Sequence, residues 1–245
     1  MKKLGNISSA VMAQRRNSLH GTLDYFPSPP WSTRAFVEHV LRKYHADLAG
    51  MTCWEPAAGE GHMAEVLKEY FQDVWASDVH DYGKGYAVGD FAAEASLARD
   101  RVEWPAQRRK PEFVITNPPY NLALPFALRA LKEARRGVGL LVRTAWLESE
   151  ERFSCLFKRR PPTAVAIYSE RVAMIEGRWD PRATTATSYA FIYWNLNRLK
   201  RQQTVFMWIP PGSKSLYTKK SDIQRFFVEP LVVADERAAT LFAAE

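Results

Sequence analysis

Hydrophobic and polar positions along the chain alternate between short apolar runs and segments of helical periodicity. The apolar runs at 51–55, 74–77, 113–116, 138–143 and 165–168 predict buried strands. Between them, 63–71, 122–134 and 148–157 repeat apolar residues at helical spacing. Strands that alternate with helices predict a mostly parallel, doubly wound α/β sheet. The strand-like run at 188–194 comes late, and we expect it to join this sheet as an antiparallel edge strand.

The remaining segments have less regular patterns. After a proline-rich stretch at 27–30, Ser32 or Thr33 is expected to cap a helix that runs to Tyr44. Residues 91–98 are expected to form a short helix, and 171–187 a long loop of the kind that usually serves function. The pattern divides the chain into a basic lead-in (1–24), an α/β domain (25–200) and a C-terminal extension (201–245). The extension is expected to be a recognition or oligomerisation element.

The chain is basic, with 34 Lys and Arg against 27 Asp and Glu and a formal net charge of +7. Arginine-rich clusters lie at 99–110, 129–136 and 158–160. These clusters could bind a nucleic-acid backbone, since guanidinium groups pair with phosphate oxygens. They could equally form a solvated surface, and composition leaves both interpretations open. No apolar run approaches the ~20 residues of a membrane span, so no membrane partner is expected. Two cysteines, Cys53 and Cys155, exclude a disulfide scaffold and a four-cysteine zinc site, and we expect no metal.

Acidic residues follow the first two predicted strands and accompany a glycine turn. Glu55 ends the first strand and precedes Gly59 and Gly61, which allow a tight turn and the close approach of a ligand. A carboxylate there attracts a cationic ligand and repels a pyrophosphate, and the missing third glycine argues against a dinucleotide fingerprint. Asp78, at the end of the second strand, either binds ribose hydroxyls or caps its own loop. Asp90 and the ring that follows it could contact the amino group and the face of an adenine.

The sharpest feature is Asn117-Pro118-Pro119-Tyr120, directly after the strand predicted at 113–116. Its two prolines fix an extended turn and leave nearby carbonyls without local hydrogen bonds. The side-chain oxygen of Asn117 and the carbonyl of Pro118 can then accept both hydrogens of a planar amino group, which directs the nitrogen lone pair at an electrophile. Tyr120 offers a ring on which the base that carries the amine can stack.

With these motifs in this order, residues 25–194 resemble the class I S-adenosylmethionine-dependent methyltransferases of the N6-adenine DNA type. The cofactor motifs precede the tetrad, as in the gamma arrangement of that family. Short phrases at 29–31, 54–56, 59–63 and 141–144 are similar to small phage- or prophage-encoded members. The resemblance implies a Rossmann-like fold for 25–200, S-adenosylmethionine as cofactor, DNA as partner, and a cytoplasmic location, in the bacterial host if the protein is phage-encoded.

The resemblance also implies roles for individual residues. It makes the tetrad catalytic: Asn117, Pro118, Pro119 and Tyr120. Its cofactor contacts run from the methionine part through the glycine turn to the ribose and adenine: Phe26, Pro27, Ser28, Glu55, Pro56, Ala57, Gly59, Gly61, Asp78, Val79, Asp90 and Phe91. From their chemistry alone, stacking rings and phosphate-binding guanidinium groups, we add five candidate substrate contacts, for which core packing or plain solvation is the alternative: Trp146, Arg152, Arg171, Arg178 and Trp179.

The chain departs from the gamma type after the tetrad, where those enzymes usually carry a sizeable target-recognition domain. Here only the loop at 171–187 and the extension at 201–245 could serve. Sequence specificity is therefore expected to be short or relaxed, or partly supplied by a second subunit, for example in a homodimer. Tetrads of this kind also occur in enzymes that methylate a protein glutamine amide or a guanine amine in RNA. Those substrates, and a catalytically silent nucleic-acid-binding module, stay open.

Overall fold

The computed structural model of the protein describes residues 24–93, 102–105, 110–197 and 203–228. Within these ranges eight strands form one sheet in the order β3-β2-β1-β4-β5-β7-β6-β8. The strands are β1 (Thr52–Glu55), β2 (Asp73–Asp78), β3 (Ala87–Val88), β4 (Phe113–Thr116), β5 (Gly137–Arg143), β6 (Ala164–Tyr168), β7 (Tyr189–Asn195) and β8 (Val205–Ile209). The prediction of a mostly parallel α/β sheet is confirmed.

One strand runs against all the others. β7 pairs antiparallel with both β5 and β6, whereas every other pairing in the sheet is parallel. The antiparallel direction was predicted, but the edge position was wrong, because β8 extends the sheet beyond β6. The residues of β7 up to Trp194 are buried, as an interior strand requires. The segment 205–209 of the C-terminal extension thus lies in the same sheet as the strands before it.

The helices pack on both faces of the sheet. They are α1 (Pro30–Phe36, continued by a π-turn at Val37–Leu41 and a last turn at Arg42–Tyr44), α2 (His62–Leu67), α3 (Ala123–Glu133), α4 (Glu150–Arg152, continued by a π-turn at Phe153–Phe157), α5 (Ser213–Tyr217) and α6 (Lys220–Phe226). In α3 the buried residues Phe126, Ala127, Ala130 and Leu131 recur at helical spacing, which is why this face lies on the sheet. None of the helices in the described ranges is long and apolar enough to cross a membrane.

Three helix predictions differ from the structure. α1 begins at Pro30 rather than after Ser32 or Thr33, because proline suits the first helical position, where a backbone N–H is not needed. The segment predicted at 148–157 starts at Glu150, where the Ser149 side chain caps the helix by accepting from the Arg152 N–H. Of the helix predicted at 91–98, residues 91–93 are not helical and the rest lie outside the described residues.

Two apolar clusters, one on each face of the sheet, form the core. Consecutive residues of β1 show the division, since Cys53 belongs to one cluster and Trp54 to the other. On the first face, Phe36 of α1 stacks on Phe191 of β7 at 3.9 Å between ring centroids. On the second face, Phe126 of α3 packs with the aromatic residues around Trp54. The core thus holds β1, β4 and β5 at the centre of the sheet.

A buried ionic cluster joins the C-terminal helices to the rest of the fold. Arg34 of α1 donates to both carboxylate oxygens of Glu69, to both of Asp222 in α6, and to the carbonyl of Tyr217. Arg34 is only 3% exposed, so these contacts lie largely out of water. The two carboxylates raise the pKa of the guanidinium above its usual value, although burial opposes them. The cluster fixes α6 against α1 on the first face.

Candidate functional site

The carboxyl ends of β1, β2 and β4 meet at one edge of the sheet and place the three sequence motifs together. Because these strands are parallel and adjacent, Glu55, Asp78 and Asn117 follow neighbouring strand ends. A pocket opens there. Its described lining is Asp24, Tyr25, Phe26, Pro27, Ser28, Glu55, Ala57, Ala58, His62, Met63, Asp78, Val79, Tyr82, Asn117, Pro118, Pro119 and Tyr120. Most of the predicted cofactor residues and the whole tetrad lie in this pocket.

The segment 24–28 crosses the pocket and is pinned to the tetrad. The Asp24 carboxylate accepts from the Tyr120 N–H at 2.7 Å, and the Phe26 carbonyl accepts from the Asn117 side-chain NH2 at 2.8 Å. The Tyr25 carbonyl accepts from the Gly177 N–H at 2.9 Å, which ties in the loop at 171–187. The predicted cofactor residues Phe26, Pro27 and Ser28 are therefore held at fixed positions beside the tetrad.

Asn117 lines the pocket and carries an acceptor that no described residue uses. Its Nδ2 donates to the Phe26 carbonyl and lies 3.6 Å from the sulfur of Met174. These contacts fix the amide so that Oδ1 points away from the carbonyl, and Oδ1 is buried with no hydrogen-bond partner among the described residues. A buried acceptor without a donor costs free energy, so this atom is suited to an incoming N–H.

Two buried acids lie side by side at the strand ends. Glu55 is 1% exposed, and its Oε2 has no hydrogen-bond partner in the part of the chain that the structure describes. Burial, together with the Asp78 carboxylate, raises the pKa of Glu55 well above its usual value. Burial also raises the pKa of Asp78, although backbone N–H groups of His80 and Gly59 lower it in part. A cationic ligand in this pocket would relieve the cost of ionising both acids.

The glycine turn is built for backbone approach. Gly59 and Gly61 have φ of 52° and 93°, in the left-handed region that favours glycine. A side chain at Gly59 would overlap the ring of Tyr25, and one at Gly61 would overlap the hydroxyl of Tyr86. The Asp78 carboxylate holds the turn by accepting from the Gly59 N–H at 2.8 Å. The other carboxylate oxygen of Asp78 accepts from the His80 N–H at 3.0 Å, so Asp78 also caps its own loop, which was one of its two predicted roles, and its ribose contact stays a prediction.

Tyr120 is surrounded by side chains from distant strands. Its hydroxyl lies 2.8 Å from the hydroxyl of Tyr189, the first residue of β7, and its ring lies 5.1 Å from that of Phe26. The guanidinium of Arg143, the last residue of β5, lies 3.8 Å from the centroid of the same ring. Burial raises the pKa of the Tyr120 phenol, so it stays protonated. The tyrosine is thus a neutral aromatic surface at the rim of the pocket.

The predicted adenine-binding pair is not brought to the pocket lining. Phe91 is 1% exposed and packs in the core against Trp54 and Phe126, each at 4.9 Å between ring centroids. Its ring is therefore not a surface for a ligand. Asp90 uses its carboxylate to accept from the Ala92 N–H at 2.7 Å, as in a local turn. Three other predicted cofactor residues are neighbours in sequence of lining residues but do not line the pocket: Pro56, Gly59 and Gly61.

None of the five candidate substrate contacts lines the pocket. Trp146 and Trp179 are buried, at 8% and 2% exposure, and pack as core residues. Arg152 donates to the carbonyls of Trp146 and Glu148, so it holds its own turn together. Arg171 donates to the Ala186 carbonyl and the Ser188 hydroxyl and closes the base of its loop. Only Arg178 has an exposed side chain for which no contact of this kind is described.

The arginine clusters also divide between surface and interior. Arg129 is 8% exposed and donates to the carbonyls of Phe91 and Val102, so it does not face a polyanion. Arg135 pairs with Glu112 at 2.7 Å. The residues 99–101 and 106–109 of the first cluster lie outside the described ranges. The phosphate-binding interpretation of the clusters thus fails for Arg129, because a buried guanidinium cannot reach a bulky ligand.

Sequence reasoning missed several residues at the site. His62 lines the pocket, Met174 touches Asn117, and Arg143 and Tyr189 contact Tyr120. His62 and Arg143 have a signal in the sequence, since each directly follows a predicted turn or ends a predicted strand. Met174 and Tyr189 have none, because the loop at 171–187 and the position of β7 bring them in.

Solved structures share this fold. A methyltransferase subunit of a type I restriction-modification system from Streptococcus thermophilus is 12% identical to this chain and has a TM-score of 0.56. The match covers 75% of this chain and 47% of the subunit. A modification subunit of a putative type I restriction enzyme from Vibrio vulnificus is 13% identical and has a TM-score of 0.50, covering 88% and 55%. At such identity the likeness shows the fold alone. The chain has the Rossmann-like class I methyltransferase fold.

The match covers only part of each of those subunits. It spans about half the length of each of the two structures that it matches. No protein-family model and no curated protein matches its sequence. The assignment of a particular reaction therefore depends on the pocket.

Proposed function

We propose that the protein transfers a methyl group from S-adenosylmethionine to the exocyclic N6 amine of adenine in DNA. The observation that carries the proposal is the buried Oδ1 of Asn117, a residue of the pocket lining, which has no hydrogen-bond partner among the described residues. Its orientation is fixed by the 2.8 Å hydrogen bond from Nδ2 to the Phe26 carbonyl. An amine N–H that reached this atom would satisfy it.

The donors and acceptors of the pocket fit the proposed cofactor. The unpartnered Oε2 of Glu55 suits a cationic group, and a sulfonium or ammonium would lower the cost of its ionisation. The positive φ of Gly59 and the absence of a side chain there allow the cofactor to approach the backbone. Asp78 and Val79 remain our choice for the ribose and adenine ends. When bound, S-adenosylmethionine supplies an electrophilic methyl group.

The chain itself contributes alignment and polarisation. The Asn117 oxygen and the Pro118 carbonyl would each accept one hydrogen of the amine, and these hydrogen bonds strengthen as positive charge develops on the nitrogen. Alignment of the nitrogen with the methyl group accounts for up to ~7–11 kcal/mol of the barrier. No general base is needed before transfer, and the raised pKa of Tyr120 argues against a phenolate in that role. Tyr120 instead offers its ring to the base.

Three observations favour DNA as the substrate. The chain has a formal net charge of +7, its motifs resemble the N6-adenine DNA family, and both reported fold neighbours are subunits of type I restriction-modification systems. RNA and protein glutamine are the competing acceptors, because their target nitrogens are planar as well. We propose two exposed arginines for contacts with phosphate: Arg178, beside the Gly177 N–H that binds the Tyr25 carbonyl, and Arg143, beside the Tyr120 ring.

Radiolabelled methyl transfer to duplex DNA, single-stranded DNA, RNA and a protein lysate, side by side, tests the proposal. We expect label in DNA, and modified adenine after digestion to nucleosides. Asn117→Ala should lose about 100- to 1,000-fold in turnover, the range for removing one such polarising group. Asn197→Ala is the matched control, since that side chain is exposed at the far end of β7. Label only in RNA or protein, or an active Asn117→Ala protein, would contradict the proposal.

A further inference from the structure

A buried histidine beside the glycine turn has no assigned role. His62, the first residue of α2, is 2% exposed and lines the pocket. Both of its ring nitrogens lack a hydrogen-bond partner among the described residues. Its ring stacks on Phe226 of α6, with centroids 4.1 Å apart and planes within 24°. The stacking satisfies the face of the imidazole and leaves the two nitrogens at its edge without partners.

A merely structural histidine would not account for this arrangement. Buried polar groups in native proteins are nearly always hydrogen-bonded, and a phenylalanine or leucine would pack against Phe226 without losing any hydrogen bond. Burial and the nearby positive charge of Lys84 lower the pKa of His62 to about 3, so the free imidazole is neutral and has one N–H to donate. The side chain is therefore suited to a ligand atom that accepts a hydrogen bond.

The charge of the pocket indicates which ligand atom this is. Among the described lining residues, Asp24, Glu55 and Asp78 are acidic and His62 is the only basic side chain. S-adenosylmethionine carries one anionic group, the carboxylate of its methionine end, beside an ammonium. The ammonium suits the acidic side chains, whereas the carboxylate would be attracted by Lys84, whose charge already acts on His62. The unpartnered Glu55 oxygen and the unpartnered His62 nitrogens thus complement the two charges of an amino acid.

We propose that His62 donates a hydrogen bond to the carboxylate of the cofactor's methionine end. The proposal rests on the proposed cofactor but not on the identity of the methyl acceptor. Because Phe226 stacks on the imidazole, α6 of the C-terminal extension holds the His62 ring in place for this contact. Recognition of the cofactor thereby involves the C-terminal extension as well as the motifs at the ends of β1, β2 and β4.

Binding calorimetry with S-adenosylmethionine and decarboxylated S-adenosylmethionine tests this role without any methyl transfer. The two probes differ in the carboxylate alone. We expect the wild type to bind S-adenosylmethionine about 10- to 100-fold more tightly, as for a hydrogen bond to a charged group. His62→Phe keeps the ring stack on Phe226 but removes the donor, so the ratio should fall to about 1. His62→Gln keeps a donor and should retain part of the preference.

The outcomes separate the two proposals. A His62→Phe protein that keeps the wild-type ratio, or a wild type with no preference for the carboxylate, would overturn the role of His62 and leave methyl transfer intact. A wild type that binds neither probe would overturn the role of His62 together with the proposed function. Thermal melting of each variant checks folding. If His62→Phe does not fold, the folded His62→Gln protein decides through its ratio of affinities for the two probes. If His62→Gln binds both probes more weakly by the same factor, so that this ratio equals the wild-type ratio, the result would count against the carboxylate contact.

Discussion

Exchanging Asn117 for aspartate tests whether its amide is held as the structure describes. In the wild type, Nδ2 donates to the Phe26 carbonyl at 2.8 Å. An ionised aspartate would replace this donor with a carboxylate oxygen, so that two acceptors, this oxygen and the Phe26 carbonyl, would face each other. Leaving a buried carbonyl without its donor costs about 1–3 kcal/mol. Protonation of the new carboxyl restores a donor, so its pKa should rise by about one to two units above the ordinary value of ~3.9.

This gives Asn117→Asp a pH signature that Asn117→Ala lacks. Above its raised pKa, the protonated fraction of the new carboxyl grows about tenfold for each unit of pH decrease. We expect the methyl-transfer rate of Asn117→Asp relative to wild type to rise from pH 8 toward pH 6, and that of Asn117→Ala to stay flat. Single-turnover rates at saturating cofactor measure this. A pH-independent ratio for Asn117→Asp, with normal cofactor binding, would refute the role of the Phe26 contact.

Three further substitutions test the pocket and the fold. Glu55→Gln should raise the melting temperature of the free protein more at pH 8 than at pH 5, because the wild type loses stability as the pH rises through the raised pKa of Glu55. The same substitution should weaken cofactor binding. A gain in melting temperature that does not depend on pH would contradict this. Arg34→Met should cost about 3–5 kcal/mol in urea unfolding, because it leaves the buried Asp222 carboxylate without its cationic partner, while Glu69 keeps its pair with Lys219. Arg42→Met, in an exposed pair, should cost less than about 1 kcal/mol. Equal losses would argue against the buried cluster. Gly59→Ala should lower the cofactor affinity measured by calorimetry, because Gly59 has a φ of 52° and a side chain there would overlap the Tyr25 ring. Gly50→Ala is the control and should keep the affinity, since a side chain there meets open space. An unchanged affinity for Gly59→Ala would show that the turn adapts.

The sequence predicted the polar groups at the strand ends better than the aromatic groups around them. Glu55, Asp78 and Asn117 follow short apolar runs, and parallel strands bring their carboxyl ends to one edge whatever the rest of the chain does. Phe91, Trp146 and Trp179 were also predicted to contact a ligand, yet all three are buried in the core. An aromatic ring suits a ligand or a core equally well, and only three-dimensional packing distinguishes the two.

The surroundings of the tetrad could not be predicted for the same reason. Tyr189 reaches Tyr120 because β7 inserts between β5 and β6, and Met174 reaches Asn117 through the loop at 171–187. These contacts join residues 57 or more positions apart in the chain. Local periodicity contains no information on such pairs. Arg129 shows the converse case, in which a residue that composition suggests for phosphate binding is used to fasten the Phe91 and Val102 carbonyls.

The sequence by itself determined the alternation of the central strands and helices, the mostly parallel sheet, and the chemical groups at its carboxyl edge. These features depend on short-range hydrophobic periodicity and on residues adjacent to it, which survive in a one-dimensional pattern. Tertiary structure alone decided which atoms of those groups are free to act. Among the residues that the structure describes, the Asn117 oxygen, the Glu55 oxygen and the His62 nitrogens have no hydrogen-bond partner, and the distant Phe26 carbonyl fixes the Asn117 amide in this orientation. Whether a buried polar atom is satisfied is a property of the packed molecule, and here it defines the pocket.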